Sequence, residues 1–372
     1  MKKALSLLYI IIMLPLLCGC DSFFMNQREV EHLLVIQTMG IDRDGEDVSL
    51  SLASAADRTS GPVRLSGRGE SVTTAIDRIR RHSYENDLFS AHVSHIVIGE
   101  AAAKDGIDGI IAYICRSPDI RIDVPMYVVK GGTAAELVLN SGDGSVGASE
   151  ILNGIQTSLR DHDAFRSITA AEAARSLARH GSTLICALEY ADGSKGGEDG
   201  GKTASICGYA VIRNGALCAF LDREESIAAG LLMNEDGISD IVVKDHSGKP
   251  VTLEIDRGSA EIRAVTDGGG TLTGLDVFVR VGASVMETED DDSVGTDYLT
   301  ARLESAVSDS VGAVLSAEKE LGADFLGLGS RIKGLSGDRF REPGSFALAL
   351  PELTLRVHVS AELAHTNDIR DA

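Results

Sequence analysis

The sequence contains no tryptophan, and aromatic residues make up only 4% of its 372 residues. Any core must therefore be built mainly from leucine, isoleucine, valine and alanine, and the hydrophobic share of 44% is ordinary for a packed protein. Basic residues are also scarce, since 35 lysines and arginines face 56 aspartates and glutamates, for a formal net charge of −21. This charge disfavours binding to nucleic acid or to anionic lipid headgroups, and we expect no nucleic-acid partner.

The cysteines show no CxxC spacing, so they do not suggest a zinc or dithiol redox motif. Four of them lie beyond the first twenty residues, namely Cys115, Cys186, Cys207 and Cys218. They would allow three disulfide connectivities, but a chain of this length does not need disulfides to fold. Because all four lie in apolar stretches, we expect buried free thiols.

Beyond residue 20 no apolar run is long enough to cross a bilayer, but the first twenty residues contain a shorter one. A basic start at Met1–Lys3 precedes an apolar stretch that ends in Leu17-Cys18-Gly19-Cys20. Leucine at −3, glycine at −1 and cysteine after the cut form the pattern of a bacterial lipobox. The sequence therefore predicts a signal peptide over 1–19 and a lipid on Cys20. Cys18 does not fit, because Leu17 before it is too large. An uncleaved membrane helix and an ordinary secretory signal are the alternatives.

A tether is expected over 20–30. It is followed by two regions, 31–190 and 203–372, that each contain both helical and strand patterns of apolar residues, and a polar, glycine-rich linker over 191–202 joins them. We expect an α+β fold with two or three domains, each a mainly antiparallel or mixed sheet packed with helices, with meandering strands and no repeated βαβ units. The expected helices are 70–82, 100–116, 133–139, 169–179, 223–233 and a long one over 296–322. The expected strands are 33–39, 47–55, 63–66, 94–99, 122–129, 183–190, 205–213, 216–221, 240–244, 251–256, 259–265, 274–286 and 352–363.

Asn214-Gly215 predicts a two-residue hairpin turn, and 40–45 predicts a second turn. The hairpin register that follows is Arg213–Ala216, Val211–Cys218 and Tyr209–Phe220. It places Cys207 about 13 Å from Cys218, too far for a disulfide.

Several formal motif matches lack the context that their chemistry needs. The segment 196–203 fits the phosphate-loop formula, but no helix is expected after it, and Glu198 and Asp199 would repel phosphate. His92 and His95 face opposite sides of an extended segment, so they do not form a metal site. The segment 142–147 fits the dinucleotide formula without a preceding strand and is expected to be a loop. We therefore expect no metal, no cofactor and no enzymatic activity.

Several segments in order resemble the Ger(x)C family, the lipoprotein C subunits of bacterial spore germinant receptors. They are 28–31, the "GID" turn Gly40-Ile41-Asp42, 66–71, 92–100, Gly106-Ile107, 114–121, 208–212, Asn214-Gly215 and 323–329. The chain departs from the family in lacking a tryptophan near Phe346 and in its short charged tail, 367–372.

The resemblance implies a non-catalytic, lipid-anchored subunit on the outer, extracytoplasmic face of the spore inner membrane. It would assemble with a polytopic A subunit and a transporter-like B subunit into a receptor that binds a small-molecule germinant and triggers germination. Whether this subunit contacts the germinant itself is left open by the sequence. The competing hypothesis is a solute-binding lipoprotein of a transporter, which would need two similar lobes around a ligand cleft.

Overall fold

The computed structural model describes residues 33–55, 61–83, 87–141, 146–162, 166–191, 203–235, 237–287, 295–332, 340, 342 and 344–364. The predicted signal peptide, Cys20 and nearly all of the linker lie outside these residues.

The described helices follow the expected apolar periodicity in most places. They are α1 (Val72–His82), α2 (Glu100–Asp105), α3 (Asp108–Arg116), α4 (Ala134–Asn140), α5 (Ala148–His162), α6 (Ala170–His180), α7 (Arg223–Met233), α8 (Thr296–Leu321), α9 (Leu328–Arg331) and α10 (Ser345–Ala349). The strands are β1 (Leu33–Asp44), β2 (Asp47–Ser54), β3 (Arg64–Gly69), β4 (Asp87–Phe89), β5 (His95–Gly99), β6 (Met126–Val129), β7 (Ser182–Ala191), β8 (Thr203–Arg213), β9 (Ala216–Leu221), β10 (Ser239–Lys244), β11 (Pro250–Thr266), β12 (Leu272–Glu287) and β13 (Thr354–Ala364). No helix in these ranges is long and apolar enough to span a membrane.

The first sheet has nine described strands in the order β3-β2-β1-β5-β6-β7-β8-β9, with β4 beside β1. Its centre, β1-β5-β6-β7, is parallel, and the strands on either side are antiparallel. Helices α2 and α3 connect β5 to β6, and α4 to α6 connect β6 to β7, so both connections are βαβ crossovers. The expectation of strands without such crossovers is therefore wrong at the centre of this sheet, whereas the mixed α+β class is confirmed.

Helices cover the first sheet on both faces. A Cβ on Gly67 of β3 would meet Ile79 of α1, and α1, α3 and α6 pack side by side on this face. A Cβ on Gly40 of β1 would instead meet Val138 of α4, so α4 and α5 cover the opposite face. Because both faces are covered, the central strands are buried throughout, as in other parallel sheets.

The second sheet, β10-β11-β12-β13, packs its apolar face on α8. The buried positions of α8 recur every three or four residues and include Leu299, Leu303, Val307, Val311 and Val314. Helix α7 lies between the sheets and contacts β8, β11 and α8, so that one continuous apolar core joins both sheets.

The predicted linker connects two neighbouring strands of the first sheet. Strands β7 and β8 pair antiparallel from Ser182–Arg213 to Ala191–Thr203. The first sheet therefore continues to Leu221, beyond the predicted linker, and the expected boundary at 191–202 stays a prediction.

Several expected elements differ in detail, and three of them differ in type or number. The predicted turn 40–45 belongs mostly to β1, which continues to Asp44. The predicted helix 100–116 is two helices, because Gly106 has φ +136° and ends α2. The two predicted strands 251–256 and 259–265 are one strand, β11, with a register shift next to Asp256.

The predicted hairpin register is confirmed only at its first pair. Arg213 faces Ala216, but a bulge at Cys218 shifts the remaining pairs, so that Val211 faces Ala219 and Tyr209 faces Leu221. None of the four described cysteines forms a disulfide bond. The expectation that they are buried is met by Cys186, but Cys207 is only half-buried, and the expectation is wrong for Cys115 and Cys218, which are exposed.

Candidate functional site

Helix α3 is the central helix of an exposed surface that we call the helical face, formed by α1, α3 and α6. Three isoleucines of α3, Ile110, Ile111 and Ile114, are buried against the sheet. Its amino end is fixed by the Ile107 N–H, which donates to the Gly215 carbonyl of the β8–β9 turn at 2.7 Å. The helix therefore holds a fixed position between α1 and α6.

An open groove of about 480 Å³ separates α3 from α1. Asp77 and Arg80 of α1 line one side, and Tyr113, Arg116 and Asp119 line the other. Burial raises the pKa of Tyr113, so this phenol is a neutral hydrogen-bonding group at physiological pH. The groove therefore combines acidic and basic side chains on its walls with an apolar floor.

A second groove of about 620 Å³ lies between α3, α6 and the β8–β9 turn. Ala112 and Arg116 line both grooves, and Cys115 and Leu177 line this one. Because Arg116 is exposed between the two grooves, a partner protein that binds in either groove would contact it.

The β8–β9 turn fixes the end of α6 as well as the start of α3. Gly181, in left-handed conformation at φ +72°, accepts the Asn214 N–H on its carbonyl at 2.7 Å. Asn214 and Gly215 both have positive φ, which matches the type I′ turn that Asn-Gly predicts. One turn therefore orients two helices of the helical face.

The 323–329 segment contacts the end of α6 from the second half of the chain. Asp324 is buried, accepts the Leu328 N–H at 2.5 Å, and lies 3.5 Å from His180 of α6. Glu318 beside it is fully buried and accepts the Leu326 N–H at 2.7 Å. Burial, followed by the neighbouring Asp324 carboxyl, raises the pKa of Glu318 well above its usual value.

The segments 40–42, 92–100 and 208–212 contain strand residues of the first sheet and lie away from the grooves, and 28–31 lies outside the described residues. Asp42 is buried and accepts the N–H groups of Ala134 and Ala135 at 2.7 and 2.8 Å, which caps α4. His95 of β5 is fully buried, with Nε2 at 3.0 Å from Asn153 Oδ1 of α5. These two segments therefore stabilise the fold, whereas 66–71, 106–107, 114–121, 214–215 and 323–329 border the helical face.

The helical face suits binding better than catalysis. Its grooves are open and combine apolar and charged walls, which fits a segment of another protein more closely than an enclosed small molecule. Across the residues that the structure describes, no group of three or more histidine, cysteine, aspartate or glutamate side chains could hold a metal ion.

Two models of one protein family match consecutive parts of this chain. The family described as the spore germination protein N-terminal domain matches residues 26–190, and the one described as spore germination B3/GerAC like, C-terminal, matches residues 207–367. The chain belongs to the GerAC-like family of spore germination proteins.

A solved structure of this group shares the fold. The crystal structure of the GerBC protein matches 87% of this chain and 96% of its own, with a TM-score of 0.54 and 16% sequence identity. No curated protein matches the chain. This chain and the GerBC structure therefore share a fold although few of their residues are identical.

Sequence reasoning identified the segments that border the helical face but not the grooves themselves. The grooves form where α1, α3 and α6 meet, and apolar periodicity does not specify which helices are neighbours. Cys20, the predicted lipidation site, lies outside the described residues and remains a prediction. His92 is exposed and His95 is buried, and they are not brought together.

Proposed function

We propose that this GerAC-like protein is the lipid-anchored C subunit of a nutrient germinant receptor. A diacylglycerol on Cys20 holds it on the outer face of the spore inner membrane, where it assembles with polytopic A and B subunits to trigger germination. Its role is non-catalytic. The match of both spore germination family models, over 26–190 and 207–367, is the observation that carries this proposal.

The helical face is the surface that we assign to the contact with the membrane subunits. Arg116 lines both grooves and is exposed, so Arg116→Glu places a negative charge at the centre of this face without disturbing the core. Arg280→Glu on the exposed side of β12 is the matched control, since it makes the same charge change on the other sheet. We expect Arg116→Glu to reduce co-purification of the A and B subunits and Arg280→Glu to leave it unchanged. Equal recovery with both variants would rule out this assignment.

The anchor is tested by Cys20→Ala in the full chain, with Cys18→Ala as the matched control. Two lipid chains attach a protein stably, and without them this acidic body has no affinity for an anionic surface. The Cys20→Ala variant should be lost from the membrane fraction and should not support germination in a strain without the wild-type copy. The Cys18→Ala variant should behave as wild type. Normal membrane fractionation and germination with Cys20→Ala would refute the anchor.

The competing function, a solute-binding lipoprotein of a transporter, predicts two similar lobes. The described sheets instead have nine and four strands and different topologies. Thermal unfolding with amino acids and sugars separates the two hypotheses. A solute-binding protein gains stability as RT ln(1 + [L]/Kd), whereas we expect no shift for this subunit alone.

A further inference from the structure

Among the described strands, β13 has one long edge that no other strand pairs with. Strand β13 has eleven residues and pairs only with β12 among the described strands. It contains neither proline nor lysine, the residues that commonly protect an edge strand from pairing. Such an edge can pair with a further strand through its backbone groups.

The apolar side of β13 is incompletely covered. Leu355, Val357, Val359, Ala361 and Leu363 face α8, but each of them is only half-buried, whereas the equivalent residues of β12 are buried. A strand added beyond β13 would shield these side chains from water.

The backbone groups of the same residues point to the free edge. The Ala361 N–H points away from β12, because it donates to Glu304 Oε1 of α8 at 3.0 Å. Amides two residues apart along a strand point the same way, so Leu355, Val357, Val359 and Leu363 also present their N–H groups at this edge.

The sequence of β13 is complementary to itself in antiparallel pairing. Val359 is the middle residue, so a second copy of β13 aligned over its full length places Val359 opposite Val359. In this register Arg356 lies opposite Glu362 of the second copy, His358 opposite Ser360, and Leu355 opposite Leu363. The edge-facing residues then form the hydrogen-bonded pairs, and Arg356 and Glu362 fall in the closer, non-hydrogen-bonded pairs.

Arg356 already forms a forked ion pair with Asp276 of β12, at 2.6 and 3.1 Å. This pair holds the guanidinium on the exposed side of the sheet, the side on which Glu362 also lies. The two-fold symmetry gives the dimer two Arg356–Glu362 pairs, one on each side of the axis.

We propose that a second copy of this chain pairs with the β13 edge, so that two copies form a homodimer with a continuous sheet. The twofold axis passes through Val359, and about ten backbone hydrogen bonds join the two strands. Each Glu304 gives up the Ala361 N–H to a backbone carbonyl of the other copy. We assign the partner as a second copy because two antiparallel β13 strands place Arg356 of each copy opposite Glu362 of the other.

Disulfide trapping tests the register directly. In a full chain with the exposed thiols removed by Cys115→Ser and Cys218→Ser, Val359→Cys places two cysteines opposite each other across the axis. Mild oxidation should give a covalent dimer. Thr354→Cys, on the same strand, is the matched control, because its two copies would lie about 33 Å apart and should not crosslink.

Charge reversal tests the complementarity by sedimentation of the lipidated full chain in detergent. Glu362→Arg places an arginine opposite Arg356 in both symmetry-related pairs. The like charges should raise the dimer dissociation constant about tenfold. Adding Arg356→Glu should restore the affinity, since both pairs become opposite in sign again. Glu254→Arg, on β11 away from the edge, is the charge control, and Glu304→Ala should strengthen the dimer by freeing the Ala361 amide.

A chain that stays monomeric at all concentrations, with no covalent dimer from the Val359→Cys variant, would overturn the proposal. Equal crosslinking of the Val359→Cys and Thr354→Cys variants would also overturn it, because the association would then lack the proposed register.

Discussion

Replacing His95 should change how the stability of this protein depends on pH. The His95 imidazole is 0% exposed, and its Nε2–H donates to Asn153 Oδ1 at 3.0 Å. Its Nδ1 has no hydrogen-bond partner among the described residues. Protonation at Nδ1 would therefore place an unpaired charge in the interior, and burial lowers the pKa of His95 from 6.5 to about 4.

The magnitude follows from the two pKa values. The unfolded chain takes up a proton below about pH 6.5 and the folded chain only below about pH 4, so stability is lost as the pH falls between them. At 1.36 kcal/mol per unit, the loss from pH 7 to pH 5 is about 2 kcal/mol. His95→Gln keeps a polar partner for Asn153 but cannot titrate, so it lacks this loss.

Urea unfolding of both proteins at pH 7 and pH 5 checks this reasoning. The free energy of unfolding of the wild type should fall by about 2 kcal/mol more than that of His95→Gln. His92→Gln, which removes an exposed histidine three residues earlier, should follow the wild type. Parallel pH profiles for wild type and His95→Gln would refute the burial of a neutral imidazole.

Three further predictions test the interior and the expected boundary. Asp42→Ala removes the cap of α4 and should cost about 2–4 kcal/mol of unfolding free energy, measured in urea; a change below about 0.5 kcal/mol would contradict the capping role. Glu318→Gln should unfold at a higher temperature than the wild type by a margin that grows as the pH rises from about 5 to about 8. Burial raises the pKa of Glu318 above its ordinary value of 4.5, so the wild type loses stability as the pH rises from that value towards the raised pKa, whereas glutamine does not titrate; a constant margin would contradict the raised pKa. A protease site inserted at 196–199 should, after cleavage, give two fragments that co-elute until denaturant is added, because β7 and β8 pair across the cut; separate elution would show that each half folds independently.

Local signals predicted the elements whose ends are set by nearby residues. Thr169 and Glu172 form the predicted capping box of α6, and α7 begins and ends at the predicted residues. The long helix α8 matches its expected range within one residue because its apolar stripe and Gly322 define it.

Elements that depend on tertiary contacts were missed. Helix α5 was not expected, although Leu152, Ile155 and Leu159 have helical spacing, because Asn153-Gly154 in its middle are poor helix formers. The segment 40–44 has turn-forming residues but is a strand, because Gly40 admits α4 close to the sheet and Asp42 caps that helix. The bulge at Cys218 has no signal in the sequence that we can identify.

The candidate site was predictable only in its parts. The Asn214-Gly215 turn was predicted, but its hydrogen bonds to Gly181 and Ile107, which orient α6 and α3, join residues far apart in the chain. Such long-range pairs are specified by the whole core and not by a local pattern.

Co-purification from spore membranes tests the central claim most directly. A tagged full chain with Cys20 intact, solubilised in mild detergent and compared with an untagged strain, should recover polytopic A and B subunits of a germinant receptor by mass spectrometry. Recovery should fall with Arg116→Glu and persist with Arg280→Glu. Recovery of a transporter permease in their place, or of no membrane partner at all, would contradict the account.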